Sequence, residues 1–411
     1  MSVNDLLSRS GTHPSFAHLR RLTDDTGLLE HALGRTPRRR EGYTTDDNAR
    51  ALWTVTEWLS NASESLPAED RCELQRLADI YLAFMLWSQE DNGWFLNNFA
   101  YDRTLEPEEI SHDCQGRSIW SCADAWIRLK GPQRDTARVI FERSLPTLNR
   151  IDSLRGQAFT MAACAHLLEA SKNADFDLPL DVKSELIYHQ ARLEQLLNGA
   201  FRHFSDEHWR WFEPAMTYSN GVLPWAMLRT YRYSQRPETY QTGIASLSYL
   251  LKVMTTEEGW LRPIGNEGWR KSDSAIVSQW DQQPLEIFKL TLALEEAAIA
   301  SELYSKQEHQ ASLVGSTRGR GATDRGSDRG ADISKITSMP SDIDNWHKQH
   351  YRVARDLCRE WFYGENDLCV PMIDPEDGSC CDGLTPYGPN INCGAEATLS
   401  YLMTEALCKR R

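Results

Sequence analysis

Carboxylates stand at recurring places in this chain. Asp46, Asp47, Asp113, Glu213, Asp281, Asp382 and Glu396 each lie in, or beside, a polar stretch bordering an apolar helical pattern. Two carboxyl groups are what the cleavage of a glycosidic bond requires. One donates a proton to the leaving oxygen, and the other activates water or attacks the anomeric carbon. Glu213 suits the donor, because Trp209-Arg210-Trp211-Phe212-Glu213-Pro214 surrounds it with rings, the setting in which a carboxyl keeps its proton. A pairing with Arg210 would cancel that effect. Asp113 and Asp281 are the candidates for the base. Asp46 and Asp47 follow Thr45, and an aspartate in a first helical turn is more often a cap than a catalyst. We expect Thr45 to cap that helix through the N–H of Asn48.

Other side chains near these carboxylates have the chemistry of a sugar site. Asp46, Asp47, Asn48, Arg50, Gln115, Tyr218, Asn220, Gln282, Gln283, Asp382, Asn392 and Glu396 can bond hydroxyls, while Trp94, Trp211 and Trp269 offer flat apolar faces to a pyranose. The chain holds 14 Trp, more than a core normally uses. Any single one reads best as a cover over the end of a core; the whole set reads better as a sugar-binding rim. No Cys/His grouping has workable metal spacing. His347, His350 and Cys358 come nearest, and a helix carrying two histidines accounts for them. No cofactor is implied.

The elements that must carry these groups are helices. Helical patterns cover 16–33 in pieces, 45–60, 69–89, 114–130, 133–148, 154–172, 181–198, 221–234, 240–254, 284–304, 344–362 and 394–408. Strand signals are few, around Gly93-Trp94-Phe95 and His208–Phe212. Every second helix is apolar nearly all round and opens on polar groups. The openings are Thr45–Asn48, His112–Gln115, Arg155–Gln157, Thr217–Asn220, Gln279–Gln283 and Asn392–Glu396. The intervals between successive openings leave room for an inner helix, a return helix and loops. Six helical hairpins closed in a ring predict an all-α fold, an (α/α)6 toroid or barrel in one domain spanning 1–411, with the N-terminal helix pairing with 394–408. The alternative is an open α-solenoid, which the unequal spacing and specialised openings disfavour. The Arg- and Gly-rich interval 306–342 is low in complexity and reads as a disordered insertion within the domain.

Composition bounds the partners. The net charge of −14 argues against nucleic acid and anionic membranes. No signal peptide or spanning segment is visible, and the ten scattered Cys read as reduced thiols, so a cytoplasmic protein is expected. The basic loop with Arg35, Arg38, Arg39 and Arg40 reads as solvated, with an anion site as the minority reading.

Several segments also resemble a known family: Arg21–Leu28, Gly42–Ala51, Trp209–Glu213, Trp280–Pro284 and Asn392–Leu399. They look like a bacterial family of six-hairpin glycosidase-like proteins, often labelled glycosyltransferases and found near glycosyltransferases or mannoside phosphorylases. The resemblance spans nearly the whole chain outside 306–342. It implies the (α/α)6 fold and carbohydrate chemistry. With the carboxylates above, the expectation is hydrolysis of a β-linked oligosaccharide, with transfer or phosphorolysis in the same cleft, or glycan binding that assists a glycosyltransferase, as alternatives. Cys393 stands where that pattern has Gln, which puts a sugar contact there in doubt.

Overall fold

The computed structural model describes residues 13–60, 66–318 and 343–410. Twelve helices are described among them: α1 (Ala17–Leu22), α2 (Thr45–Ser60), α3 (Ala68–Ser88), α4 (His112–Arg128), α5 (Gly131–Ser144), α6 (Leu154–Ala170), α7 (Leu180–Phe204), α8 (Val222–Ser234), α9 (Pro237–Met254), α10 (Pro284–Arg318), α11 (Ile343–Tyr363) and α12 (Ala395–Cys408). The even-numbered ones are the apolar set. Every residue from Asp47 to Trp58 in α2, Cys114 to Trp126 in α4, Arg155 to Leu168 in α6 and Val222 to Tyr231 in α8 is buried. A helix buried on all sides must be enclosed by others. The outer helices bury one face only; α3 does so through Leu74, Leu77, Ala78, Tyr81, Leu82, Phe84 and Met85.

The inner helices pack in succession, α2 on α4, α4 on α6, α6 on α8, α8 on α10, α10 on α12, and α12 back on α2. The ring is therefore closed and is an (α/α)6 barrel, not an open solenoid. α1 packs on α12 as the sequence predicts. Five inner helices send one ring each to the axis: Trp53, Trp120, Phe159, Trp225 and Phe288. Trp53 lies 5.5 Å from Trp120, 5.9 Å from Trp225 and 5.5 Å from Phe288 between ring centroids. This aromatic layer plugs the lumen. It also answers where much of the Trp content goes, since Trp58, Trp126 and Trp361 are likewise fully buried.

Below the plug, ion pairs and a His–Asp hydrogen bond tie the helix C-termini. Arg128 meets Glu57 at 2.7 Å, His166 meets Asp124 at 3.1 Å, Arg229 meets Glu169 at 2.6 Å and Arg232 meets Glu296 at 3.0 Å. Arg410, just past α12, reaches Glu57 at 2.6 Å. Basic side chains near helix C-termini oppose the partial negative charge there.

The strands are two or three residues long, and they do not fall quite where the sequence suggests. β1 (Tyr43–Thr44) pairs with β2 (Asn98–Phe99) and β3 (Ala215–Met216) with β4 (Arg270–Lys271) across intervening helices, while β5 (Gly383–Thr385) and β6 (Gly388–Asn390) form a hairpin. At Gly93–Phe95 there is only the bridge Gln89↔Phe95. Over His208–Phe212 the chain bends instead of extending, because the Asp206 carboxylate accepts the N–H groups of His208 and Trp209 at 2.6 and 2.7 Å. α10 runs on to Arg318, so helix occupies the start of the interval read as an insertion; 319–342 lie outside the described residues.

Candidate active site

Parallel inner helices place their N-termini on one face, and side chains link those ends around the ring. Arg117 of α4 meets Asp46 of α2. Asp113 of α4 accepts from Ser153 Oγ at 2.5 Å and from the Gly156 N–H at 3.2 Å, at the start of α6. Arg155 of α6 donates to the carbonyl of Tyr218 at 2.5 Å, just before α8. Asn220 Nδ2 donates to Glu286 of α10 at 2.9 Å. Arg50 of α2 meets Glu396 of α12 at 2.6 Å.

At this face a cavity of about 320 Å³ opens between α2, α10 and α12. Its wall comprises Glu30, His31, Thr44, Asp46, Asp47, Arg50, Asn97, Asn98, Gln283–Leu285, Asp382 and Gly394–Ala397. Three of the six helix mouths line it. The positioning is local. The Thr44 hydroxyl, not that of Thr45, caps α2 by accepting the Asp47 N–H at 3.2 Å; Thr45 instead donates to the Leu96 carbonyl. Pro284 opens α10, where its missing N–H costs nothing. Asp382 Oδ1 accepts the Gly394 N–H at 2.6 Å at the entry to α12. The Ala395 N–H donates to the Glu30 carbonyl at 2.9 Å, which fixes Glu30 beside α12.

Arg50 organises the charges. Its Nη1 lies 2.7 Å from both Asp46 and Asp47, and its Nη2 2.6 Å from Glu396. Burial raises the Glu30 carboxyl to about 7, with Glu396 adding to the rise and Arg50 opposing it. Burial likewise lifts Asp47 to about 6 against the pull of Arg50, and Asp382 to about 6 against its bond from Gly394. Beneath the floor, burial lowers Arg117 to about 10. It also drives the Lys289 amine well below its ordinary value. Among the described residues Lys289 Nζ has no hydrogen-bond partner, and it lies over the ring of Phe288 at 4.0 Å. The site can thus hold a proton on a carboxyl near neutral pH while an arginine keeps other carboxylates paired.

The structure sorts the residues singled out from the sequence. Asp46, Asp47, Arg50, Gln283, Asp382 and Glu396 line the cavity. Asp281 stands two residues before Gln283 in a left-handed conformation (φ 58°), with its carboxylate against Gly383, next to Asp382. Asn392 holds the Gly34 N–H at 3.0 Å and passes its carbonyl to the Asp382 N–H. The others are absorbed by the framework. Asn48 bonds Leu28 and Thr44; Gln115 bonds Gly93, Phe95 and Thr147. Gln282 bonds Asp367 at 2.8 Å, and Tyr218 lies under the Arg155 guanidinium at 4.8 Å. Trp94 is buried against His112, and Trp211 is fully buried. Glu213 pairs with Arg155 at 2.7 Å, so its neighbour is a guanidinium and not the ring faces that made it attractive as a donor. Asp113 is a cap for α6. Cys393 is buried and does not line the cavity. The basic loop is engaged nearby: Arg35 pairs with Asp374 at 2.5 Å and Arg38 with Glu41 at 2.6 Å. Glu30, His31, Asn97 and Asn98 went unnoticed in the sequence because none belongs to a helix opening.

No family model matches the chain, and no curated protein matches it in sequence. Its fold does match solved structures. A cellobiose 2-epimerase from Bacillus thermoamylovorans B4167 is similar at TM-score 0.58 and 10% identity, over 99% of this chain and 98% of that one. A D-mannose isomerase aligns at TM-score 0.59 and 12% identity, over 98% and 95%. The GH76A alpha-1,6-mannanase from Salegentibacter sp. HEL1_6 aligns at TM-score 0.53 and 10% identity, over 99% and 97%. The likeness establishes the six-hairpin (α/α)6 barrel. Among the described residues no helix is long and apolar enough to cross a membrane.

Proposed function

We propose that this protein is a carbohydrate-active enzyme, a glycoside hydrolase that cleaves an oligosaccharide in the Glu30–Glu396 cavity. The observation that carries the reading is the set of five carboxylates, Glu30, Asp46, Asp47, Asp382 and Glu396, around one buried arginine. Glu30 is the proton donor, since burial leaves it about half protonated near pH 7. Glu396 is its partner, acting on water or on the anomeric carbon; its side chain is 39% exposed, against 5% for Asp47, so water and substrate reach it more readily. In the reaction the Glu30 proton passes to the glycosidic oxygen as the bond to the anomeric carbon breaks. In direct displacement, Glu396 takes the proton lost by the attacking water. Asp46, Asp47 and Asp382 bond hydroxyls. This moves the donor role from Glu213, held by Arg155, and the base role from Asp113, which caps α6.

Structural neighbours support a sugar substrate. One solved form of the Salegentibacter mannanase is a complex with alpha-1,6-mannotetrose, and the inactive variant in it carries replacements of two adjacent aspartates. Asp46 and Asp47 are an adjacent pair at the mouth here. Epimerases and isomerases share the fold, but the groups able to move protons in this cavity are carboxylates with one imidazole, His31, which favours hydrolysis. Incubating the full chain with α- and β-linked manno- and gluco-oligosaccharides, with and without phosphate, tests this. The account expects shorter sugars with free reducing ends, at a rate independent of phosphate. Phosphorylated or epimerised products, or none, would overturn it.

A further inference from the structure

A second groove lies along the rim, on the hairpin that leads to α10. It encloses about 530 Å³ and is lined by Trp269 among Glu267, Lys271, Asp273, Ser274 and Ser278. Trp269 has the backbone of a residue under constraint, with φ at 60°; such conformations persist only where the surroundings impose them. The constraints are visible. Its N–H bonds the Gly265 carbonyl at 3.3 Å, its carbonyl accepts the Ser278 N–H at 3.0 Å, and its indole N–H donates to Asn266 Oδ1 at 3.0 Å. Yet the ring so firmly held remains 39% exposed, while most tryptophans of the chain are buried. A fixed, half-open indole among charged and hydroxyl side chains, with Ile276 beside them, suits stacking on the apolar face of a sugar ring.

The groove and the cavity are lined by neighbouring stretches of one segment. Ser278 of the groove precedes Gln283 of the cavity by five residues, a span of at most about 17 Å of extended chain. The hairpin is fastened to the cavity wall, since Asn266 bonds the Asp281 carbonyl at 3.1 Å and Gln282 exchanges two backbone bonds with Leu384, beside Asp382. On its other side, Lys271 and Arg270 pair with Ala215 and Met216. These bonds tie the platform to the cavity wall on one side and to the 215–216 strand on the other.

We infer that the 265–278 hairpin is a distal sugar subsite, with Trp269 as its stacking platform, so that the substrate is a chain of several residues and not a disaccharide. This rests on the carbohydrate reading of the cavity, but not on which carboxylate gives the proton. The test is binding of manno- and gluco-oligosaccharides of two to six units to the full chain, wild type against Trp269→Ala and Trp269→Phe. In the wild type, affinity should rise with length. Trp269→Ala should erase about a tenfold increment for the longer sugars, leaving disaccharide affinity and Tm unchanged, and Trp269→Phe should restore part of it. Three results would overturn the inference: length dependence unaltered in Trp269→Ala, a loss equal for all lengths, or no binding by any of the sugars. Activity lost in Glu30→Gln with length dependence intact separates the two readings, as does the reverse.

Discussion

Arg50 is the residue on which the charges of the site converge. A planar guanidinium can present two edges, and here one nitrogen serves Asp46 and Asp47 while the other serves Glu396. An ammonium is a point charge and cannot span both walls. Arg50→Lys should therefore lower turnover at least about a hundredfold and lower the unfolding free energy by about 1–2 kcal/mol, since the charge stays but the charged hydrogen bonds to one wall are lost; steady-state rates and urea unfolding read the two effects. Lys289 is the converse case, a buried amine without a hydrogen-bond partner among the described residues. Burial weakens its hold on a proton relative to the unfolded chain, so it costs stability below the ordinary lysine value, and the cost shrinks as pH rises towards that value. Lys289→Met should raise Tm at pH 7 and raise it less at pH 10. Glu30 has the opposite linkage. Its folded value of about 7 exceeds the unfolded 4.5, so the folded state holds the extra proton between them. Its contribution is complete below pH 4.5 and is lost as pH rises through 7. The unfolding free energy of wild type relative to Glu30→Gln should fall across that window.

At the scale of elements, the inner helices touch because their mouths are small. At Gly116 an added Cβ would come within 2.4 Å of the Gly156 carbonyl, and at Gly156 within 2.3 Å of the His112 carbonyl. Backbone is the obstacle in both, so it cannot swing aside. Gly116→Ala should cost about 3 kcal/mol, the upper end for overpacking, and would show in chemical denaturation. The helices themselves were legible, because burial on every side leaves an apolar run that begins at a polar opening. Less legible was which polar groups a mouth spends on itself. Gln115, Asn48 and Asn220 look like sugar ligands in sequence, but each satisfies backbone or a neighbouring helix. A buried donor must be paired, and only the fold says with what.

For the molecule as a whole, the ring was readable from repetition and the cleft was not. Repeats announce six mouths; the loops decide that the carboxylate-lined cavity lies over α2, α10 and α12. Glu30 shows why. It sits in no motif, and its proton affinity arises from burial beside Glu396 and Arg50, residues distant in the chain. Tryptophan count misled in a similar way, since the plug at Trp53, Trp120 and Trp225 takes rings that composition alone would assign to a sugar site. The most direct test is the pH dependence of kcat/KM on a cleaved oligosaccharide, for wild type, Glu30→Gln and Glu213→Gln. The account predicts an alkaline limb near pH 7 in the wild type, loss of at least about a hundredfold in Glu30→Gln with sugar binding kept, and a Glu213→Gln profile close to wild type. A Glu30→Gln enzyme that keeps both rate and limb, with Glu213→Gln inactive, would contradict it.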